Sequence, residues 1–447
     1  MNDASLTTVS SIFAHACSGL NRSRQILVGY SGGLDSTVLL HLACGYFTPQ
    51  RIMAVHINHA LCDSAQSWQE HARRNCAALS VSFSAHRVDC RQKGNLEASA
   101  RSERYAIFRQ QILDGGILLL GHHANDQVET VLYRLMRGSG SRGLAGMPKM
   151  RKLGVGELLR PLLGVMRRDL LAYAQCHKLV WVDDHSNADV DLDRNFLRHR
   201  IVPALAERWP DYAPRISSSA ARSREAEALA QSVFRSDLNS LDKREERSGM
   251  SIGISQLSGF DPPRQRNIVR CMPAELNLPT PSLKIVTEVL KTLANARIDA
   301  LPVVVSGSYQ YRRYRHRLYV VSVVDEPNYA ANVVLKWQLN QPLTLPGGHV
   351  LISAEDSSDG LRLSASSTVE IGFRRGGERC RPAGRGHSQR LKKLLQEYAL
   401  EPWWRASVPL LFVAGEIVAV GDLWVCEGWQ AKGGECGLKI CWSTNSA

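Results

Sequence analysis

The chain has 447 residues, 44% of them hydrophobic, and a net charge of +13 at pH 7, with a pI near 9.3. That length predicts two or three domains, and that charge favours a polyanionic partner, nucleic acid above all. No apolar run approaches the ~20 residues of a membrane span, the opening MNDASLTTVSSIF lacks the regions of a signal peptide, and the eleven cysteines include no C-x-x-C pair. A soluble, cytoplasmic protein with reduced thiols is expected, with no membrane partner.

Residues 8–20 read as a short amphipathic helix. The stretch 26–36, ILVGYSGGLDS, then runs from a buried apolar strand through a turn of Ser31, Gly32 and Gly33 into a helix over Ser36–Phe47. Glycines let backbone N–H groups approach a ligand, and a helix start adds unpaired N–H groups and partial positive charge. Such a place suits phosphate or pyrophosphate. The same stretch fits G-x-S-x-G, the nucleophile elbow of serine hydrolases, with Ser31 as nucleophile. It also fits a plain glycine-rich turn. Asp35 favours the phosphate reading, because a carboxylate there makes sense if Mg²⁺ bridges it to phosphates. The Walker pattern G-x-x-x-x-G-K-[ST] is absent.

Further along, strands are predicted at 51–57, 81–88, 116–121 and 157–163, and helices at 67–78, 95–113, 125–137 and 166–177. The helix at 95–113 carries Glu97, Arg101 and Arg104. This alternation predicts an α/β domain with a doubly wound parallel sheet, ligands lying beyond the carboxyl ends of its strands. The turn at Ser31, the segment Ile57–His59 and residues 122–129 then share one rim. His56 and His59 have H-x-x-H spacing but no further ligand nearby, so packing or ligand contact is favoured over zinc. In HHANDQVET, 122–130, Asp126 and Glu129 are three apart and share a helix face. Together they can hold Mg²⁺ or a cationic substrate; by themselves they equally suit a helix's first turn. GSGSRG at 138–143 matches G-x-G-x-x-G but follows a helix, so it reads as a flexible loop near the substrate and not a dinucleotide site. RNFLRHRIVPAL, 194–205, places Arg194 and Arg198 on one helix side.

From about Ser217 the composition turns helical, with helices expected at 219–241, 262–271 and 282–294. Residues 303–322 read as strands around a turn in which Tyr309, Tyr311 and Tyr314 alternate with Arg312, Arg313 and Arg315. That pattern serves either RNA stacking or an ordinary packed hairpin. After about 335 the chain is strand-like and glycine-punctuated. Arg374 to Lys393 holds eight Lys or Arg against one acid, Glu378. Phosphate contact is the natural reading of that block. Trp403, Leu410, Leu411, Val418, Val420 and Val425 can supply a core beneath it.

SGGLDS, LLLGHHANDQVETVLYRLMRGSGSRGLAGM and RNFLRHRIVP together resemble the tRNA(Ile)-lysidine synthetase family, within the PP-loop or N-type ATP pyrophosphatase superfamily. RRGGERCRPAGRGHSQRLKKLLQE resembles that family's C-terminal tRNA-binding domain. The resemblance implies a catalytic domain at 1–215, a mostly helical, tRNA-contacting middle domain at 216–335, and a small α+β tRNA-binding domain at 336–447. It implies ATP and Mg²⁺ as cofactors. Its partners would be L-lysine and a tRNA(Ile) with a CAU anticodon, and no protein partner is inferred. The reaction implied is adenylation of the first anticodon cytidine, loss of pyrophosphate, then attack by lysine's ε-amine with loss of AMP. Ser31, Gly32, Gly33, Leu34, Asp35, Ser36 and Ile57 would bind ATP, and Asp35 and Asp126 the metal. Asp35, His122, Asp126, Glu129, Arg104 and Arg194 would form the catalytic set, with Arg104 and Arg194 on phosphate or substrate carboxylate. His122 and Glu129 are the candidate bases for the lysine amine. A PP-loop tRNA thiolase is the alternative, disfavoured by the missing C-x-x-C pair. GMP and NAD synthetases would leave the basic C-terminal block unexplained. A tRNA-binding module without chemistry would have no use for Asp35 and Asp126.

Overall fold

Ile26, Leu27 and Val28 are the first three residues of strand β1 (Ile26–Gly29) and alternate between two cores, as a strand's period of two requires. The computed structural model describes every residue except 1–2, 22–23, 59–63, 89–95, 184–191, 294–295, 298–299, 323–332, 347–349, 358–359, 433–434 and 445–447. The chain divides into two compact units, Met1–Leu229 and Ala230–Ala447.

The first unit begins with α1 (Asp3–Cys17), then β1, α2 (Leu34–Tyr46), β2 (Ile52–Asn58), α3 (Ala65–Ala78), β3 (Ser82–Arg87), α4 (Leu96–Gln111), β4 (Ile117–Leu119) and α5 (Ala124–Met136). It continues with the one-turn α6 (Ser141–Leu144), β5 (Met150–Leu153), β6 (Gly156–Leu159) and α7 (Arg167–Cys176). Helix α8 (Asp193–Phe196), a π-helical turn (Leu197–Ile201), α9 (Val202–Arg208) and α10 (Tyr212–Leu238) follow.

The sheet order is β3-β2-β1-β4-β6-β5, parallel except for the β5–β6 pair. Ile26 and Val28 enter one core with Phe13, Val38, Leu39, Leu170 and Tyr173. Leu27 enters the other with Val55, Tyr105, Phe108, Ile112 and Leu118. Helices thus cover both faces, the doubly wound arrangement predicted. The antiparallel edge strand β5 is an addition to it. MRKL has no alternating apolar pattern, and three of its four residues are exposed, so its strand character comes from pairing with β6.

The chain leaves β1 toward β2 and β3, then returns to put β4 on β1's other side. This switch point opens a crevice at the carboxyl ends of β1 and β4, where ligands of such sheets bind. Gly121 closes the distance there: a Cβ on it would lie 3.0 Å from the carbonyl oxygen of Asp35. The end of β4 and the start of α2 are therefore pressed together at the crevice floor.

In the second unit the expected helices are present at Pro262–Cys271 and Leu283–Glu288, the latter continued by a π turn to Leu293. They pack on a five-stranded antiparallel sheet built from Arg244–Glu246, Gly249–Gly253, Val303–Ser306, Tyr309–Tyr314 and Arg317–Ser322. The rest is β-rich, with sheets of five, three and two strands, one α-helix, Leu391–Glu397, and a 3-10 turn, Pro402–Trp404, among the described residues. Leu410, Leu411, Val418 and Val420 are in its core, while Trp403 and Val425 are half-buried against it. No helix among the described residues is long and apolar enough to cross a membrane.

Candidate active site

The turn after β1 is shaped by its own side chains. Gly32 takes φ +86°, a conformation that L side chains rarely adopt. Ser36 Oγ accepts from the Ser31 N–H at 3.2 Å, lies 3.0 Å from Ser31 Oγ, and donates to Gly33 O at 3.0 Å. Ser31 Oγ in turn accepts from the Gly33 N–H at 3.3 Å. Both hydroxyls therefore brace the loop. The described partners of Ser31 Oγ are Ser36 Oγ and the Gly33 N–H, which give this hydroxyl a bracing role in the loop. No side chain caps α2. Its first N–H groups, from Leu34 to Ser36, are left for a ligand, and an anion suits them.

Asp35 stands on the first turn of α2. Its Oδ1 is buried with no hydrogen-bond partner, and its Oδ2 lies 3.6 Å from His123 Nε2. A carboxylate oxygen held dry beside a phosphate cradle fits a ligand for a hard cation such as Mg²⁺, which binds one or two carboxylates plus phosphates. Among the described residues no group of three His, Cys, Asp or Glu is placed to hold a metal, so phosphate oxygens and water would complete the shell.

Helix α5 opens beside this atom. His123 and Asp126 form a reciprocal cap: the His123 N–H donates to Asp126 Oδ2 at 3.0 Å, and the Asp126 N–H donates to His123 Nδ1 at 3.4 Å. Asp126 and Glu129 meet two arginines from the far side. Arg194 Nε donates to Glu129 Oε2 at 3.0 Å, and its NH2 to Asp126 Oδ1 at 3.2 Å. Arg198 Nε donates to Glu129 Oε1 at 2.7 Å, and its NH2 to Glu129 Oε2 at 3.0 Å and Asp126 Oδ1 at 3.4 Å. Glu129 is only 2% exposed, a burial a carboxylate tolerates only when paired. Burial alone would raise the Asp126 pKa; His123, Arg194 and the capping N–H outweigh it and hold it below the usual carboxylate range. Burial would likewise lower His123, but Asp35, Asp126 and Glu129 keep it above its ordinary value. Full protonation would cost it the 3.4 Å cap, since Nδ1 would no longer accept.

A PP-loop domain model matches residues 5–205, a TilS substrate-binding domain model residues 253–319, and a TilS substrate C-terminal domain model residues 369–442. The chain is 37% identical over 427 residues to a tRNA(Ile)-lysidine synthase of Coxiella burnetii, covering 94% of each chain. It is 40% identical to one of Alkalilimnicola ehrlichii, covering 91% of each. It is 35% identical to one of Escherichia coli O157:H7, covering 95% of this chain and 97% of that one. The chain belongs to the tRNA(Ile)-lysidine synthase family.

Within this family member, the residues expected at the site are distributed unevenly. Ser31 to Ser36, His122, Asp126, Glu129 and Arg194 converge around the crevice. Arg194 meets the site's own carboxylates here. Ile57 sits half-buried near the carboxyl end of β2, against the core that holds Leu27 and Tyr105. Arg104 is half-buried on α4, one residue before Tyr105. His56 is packed, its Nδ1 3.0 Å from Tyr30 O; His59 lies outside the described residues. The loop at 138–143 is docked, with Arg134 donating to Gly143 O and Gly146 O at 3.0 and 2.9 Å. Three site residues were not singled out from sequence: His123, Arg198 as a carboxylate partner, and Arg160. A lone arginine in the apolar run ELLRPLL was the available signal for the last of these.

Arg160 is 2% exposed, and its Nε donates to His122 Nδ1 at 3.3 Å. His122 Nε2 therefore carries the ring proton. Burial, with Arg160, Arg194 and Arg101, pushes the His122 imidazole down to about 3 against the opposing pull of Asp126. As the wild-type enzyme is acidified, the unfolded chain takes up a proton on His122 that the folded one refuses. This contribution to stability is complete above the unfolded value near 6.5. It declines as pH falls toward 3, by up to about 1.4 kcal/mol per pH unit. His122→Gln should lose less stability than wild type between pH 7 and pH 4.5, read by urea midpoints. Equal losses would place the acid sensitivity elsewhere.

In the basic tyrosine hairpin, inside the substrate-binding match, the tyrosines are packed and not free to stack on RNA. Tyr309 and Tyr311 are buried, their hydroxyls donating to Pro279 O at 2.8 Å and Val269 O at 2.7 Å. Arg313 is buried and donates to Leu293 O, while Tyr314 and Tyr319 pack on Trp403. In the C-terminal match, by contrast, Arg375, Arg379, Arg381, Arg390, Lys392 and Lys393 are all exposed. The helix Leu391–Glu397 explains this: Leu391, Leu394 and Leu395 anchor it in the core, leaving its lysines outside.

Proposed function

We propose that the chain ligates L-lysine to the first anticodon cytidine of a tRNA(Ile) bearing CAU, through an adenylated cytidine, with release of pyrophosphate and AMP. Formation of lysidine on tRNA(Ile), with use of ATP, follows from the family. The residue roles, the anticodon and the metal are the proposal. The observation that carries it is the uncapped start of α2, braced by Ser31 and Ser36, beside the carboxylates of Asp35, Asp126 and Glu129.

In this reading the loop Ser31–Ser36 holds ATP's phosphates, through the N–H groups of Leu34 to Ser36 that its own hydroxyls leave open. Asp35 would hold Mg²⁺, with Asp126 contributing if it yields a guanidinium bond; an ion bound there would supply positive charge to offset that of the pyrophosphate. Asp126 and Glu129 receive the lysine ammonium. Arg104 acts on phosphate or on the substrate carboxylate, where a guanidinium fork fits, while Arg194 orients the two carboxylates. The attacking amine must be neutral although its free pKa is ~10.4. Neither candidate base is set for that proton in this state. His122 presents Nε2–H as a donor, and both Glu129 oxygens accept from guanidinium groups. Three parts, 1–215, 216–335 and 336–447, divide the labour, the first performing the chemistry and the others contacting tRNA. ATP and tRNA as substrates make the cytoplasm the place of work. A PP-loop thiolase is the weaker reading, since no C-x-x-C pair exists.

The test is direct. Incubation with ATP, Mg²⁺, labelled lysine and tRNA(Ile) bearing CAU should put label into the tRNA. Active ATP turnover on another acceptor with no lysine incorporated would sink the reading. The exposed basic block carries a separate expectation. Charge reversal at Arg390, Lys392 and Lys393 together should weaken tRNA binding roughly tenfold or more at low salt and reduce the log–log salt slope by about 2–3. Filter binding across a salt series measures both, and an unchanged slope would remove this patch from the tRNA surface.

A further inference from the structure

Two arginines hold the Asp126–Glu129 pair, but not equivalently. Arg194 spans both carboxylates, one nitrogen to each. Arg198 forks across Glu129 alone, with a longer bond to Asp126. Among the described contacts, Arg198 Nε is the only partner of Glu129 Oε1. Removing Arg198 would therefore free one oxygen on a 2% exposed carboxylate while leaving each carboxylate a bond to Arg194. Charge points the same way. Asp35, Asp126 and Glu129 face two guanidinium groups, so a single cation can replace Arg198 without changing the cluster's net charge.

The backbone beneath the two arginines also differs. Arg194 is on the α-helical turn α8. Arg198 is on the π-helical turn Leu197–Ile201, where one residue more than an α turn is accommodated, a feature frequent at functional sites. The Arg198 side chain is 31% exposed, so it has an open side to move toward.

We propose that Arg198 is an internal occupant of the lysine-ammonium site, holding Glu129 until the substrate's ammonium takes its place. This rests on the reading of Asp126 and Glu129 as the lysine site. The exchange is one cation for another on Glu129 Oε1, with no bond to carbon made or broken. Its consequence is that apparent lysine affinity is reduced by the fraction of time Arg198 occupies the carboxylate. Arg198 is a positioning residue that sets how tightly lysine binds.

Equilibrium dialysis of labelled lysine against the whole enzyme tests this. Arg198→Ala should bind lysine roughly tenfold more tightly than wild type, as removal of a site occupied about nine-tenths of the time requires. The KM for lysine should fall while that for ATP stays. Millimolar guanidinium should return the variant to wild-type lysine affinity, a rescue that a merely structural role would not give. Should Arg198→Ala not fold, Arg198→Gln, whose neutral amide can still donate to Glu129, carries the same comparison. If lysine affinity is unchanged or weaker in the folded Arg198 variants while Glu129→Gln has lost lysine binding, the occupancy proposal is overturned and the lysine site stands. If Glu129→Gln binds lysine as wild type does, the lysine site is elsewhere and the proposal goes with it.

Discussion

Asp35→Ala should lower the turnover of lysine transfer by about 10³-fold with tRNA affinity unchanged. The reason lies in what Asp35 does and does not hold. Its Oδ1 has no protein partner, and its Oδ2 has a 3.6 Å contact with His123. The side chain thus adds little to the fold beyond a favourable charge at the start of α2, worth about 0.3–1 kcal/mol. A 10³-fold rate loss corresponds to about 4 kcal/mol, so chemistry should suffer far more than stability. The basic block at Arg374–Lys393 is in the other compact unit, and the substitution does not touch it. Single-turnover kinetics on preformed complex, filter binding and thermal melting together test the separation. Activity and tRNA affinity falling in parallel, with a lowered melting temperature, would show a damaged fold instead. Asp35→Asn should behave like Asp35→Ala in rate, because an amide keeps the shape but loses the charge that the cation requires.

How much of this site could be read from the chain alone depended on sequence distance. Ile26–Val28, the glycine turn and the α2 start are contiguous, so local stereochemistry is enough to place a phosphate cradle there. Asp126 and Glu129 are three apart, and helix geometry alone puts them on one face. Arg194 and Arg198 are legible as a pair for the same reason. Their contact with Asp126 and Glu129 is not, because it depends on how α8 returns across the mouth of the crevice. Arg160 is harder still: its meeting with His122 requires β6 to lie beside β4. The tyrosine hairpin is undecided from its pattern. Interleaved arginines allow RNA stacking and a packed hairpin alike. In the structure Tyr309 and Tyr311 alternate onto one face and enter the helical core, while Tyr314 on the other face is covered by Trp403, far away in sequence. A strand's pattern can reveal that one face is buried. It cannot reveal that a distant segment covers the second.

Asp126 offers the sharpest separation of structure from chemistry, because its two oxygens do different work. Oδ2 accepts the His123 N–H and closes the cap of α5; Oδ1 accepts from both arginines. Asp126→Ala removes both. Loss of the cap costs about 1 kcal/mol, and breaking a buried pair by deleting one partner costs about 3–5 kcal/mol. The exposure of the arginines, about a third of each side chain, puts the sum toward the lower end. Asp126→Asn should keep the cap, since its carbonyl oxygen still accepts from His123, and so be spared that ~1 kcal/mol, but it gives up the ion pair as Asp126→Ala does, its amide donor facing two guanidinium donors. Its amide cannot neutralise an arginine or a substrate ammonium, so lysine transfer should still fall by about 10²–10³-fold. The two variants should therefore agree in activity and differ in stability by only about the cap's 1 kcal/mol, read as a small shift in urea midpoint. Asp126→Asn with near wild-type turnover would make this carboxylate a helix cap alone. Equal destabilisation of both variants would show that charge at Oδ1, and not the cap at Oδ2, holds the start of α5 in place.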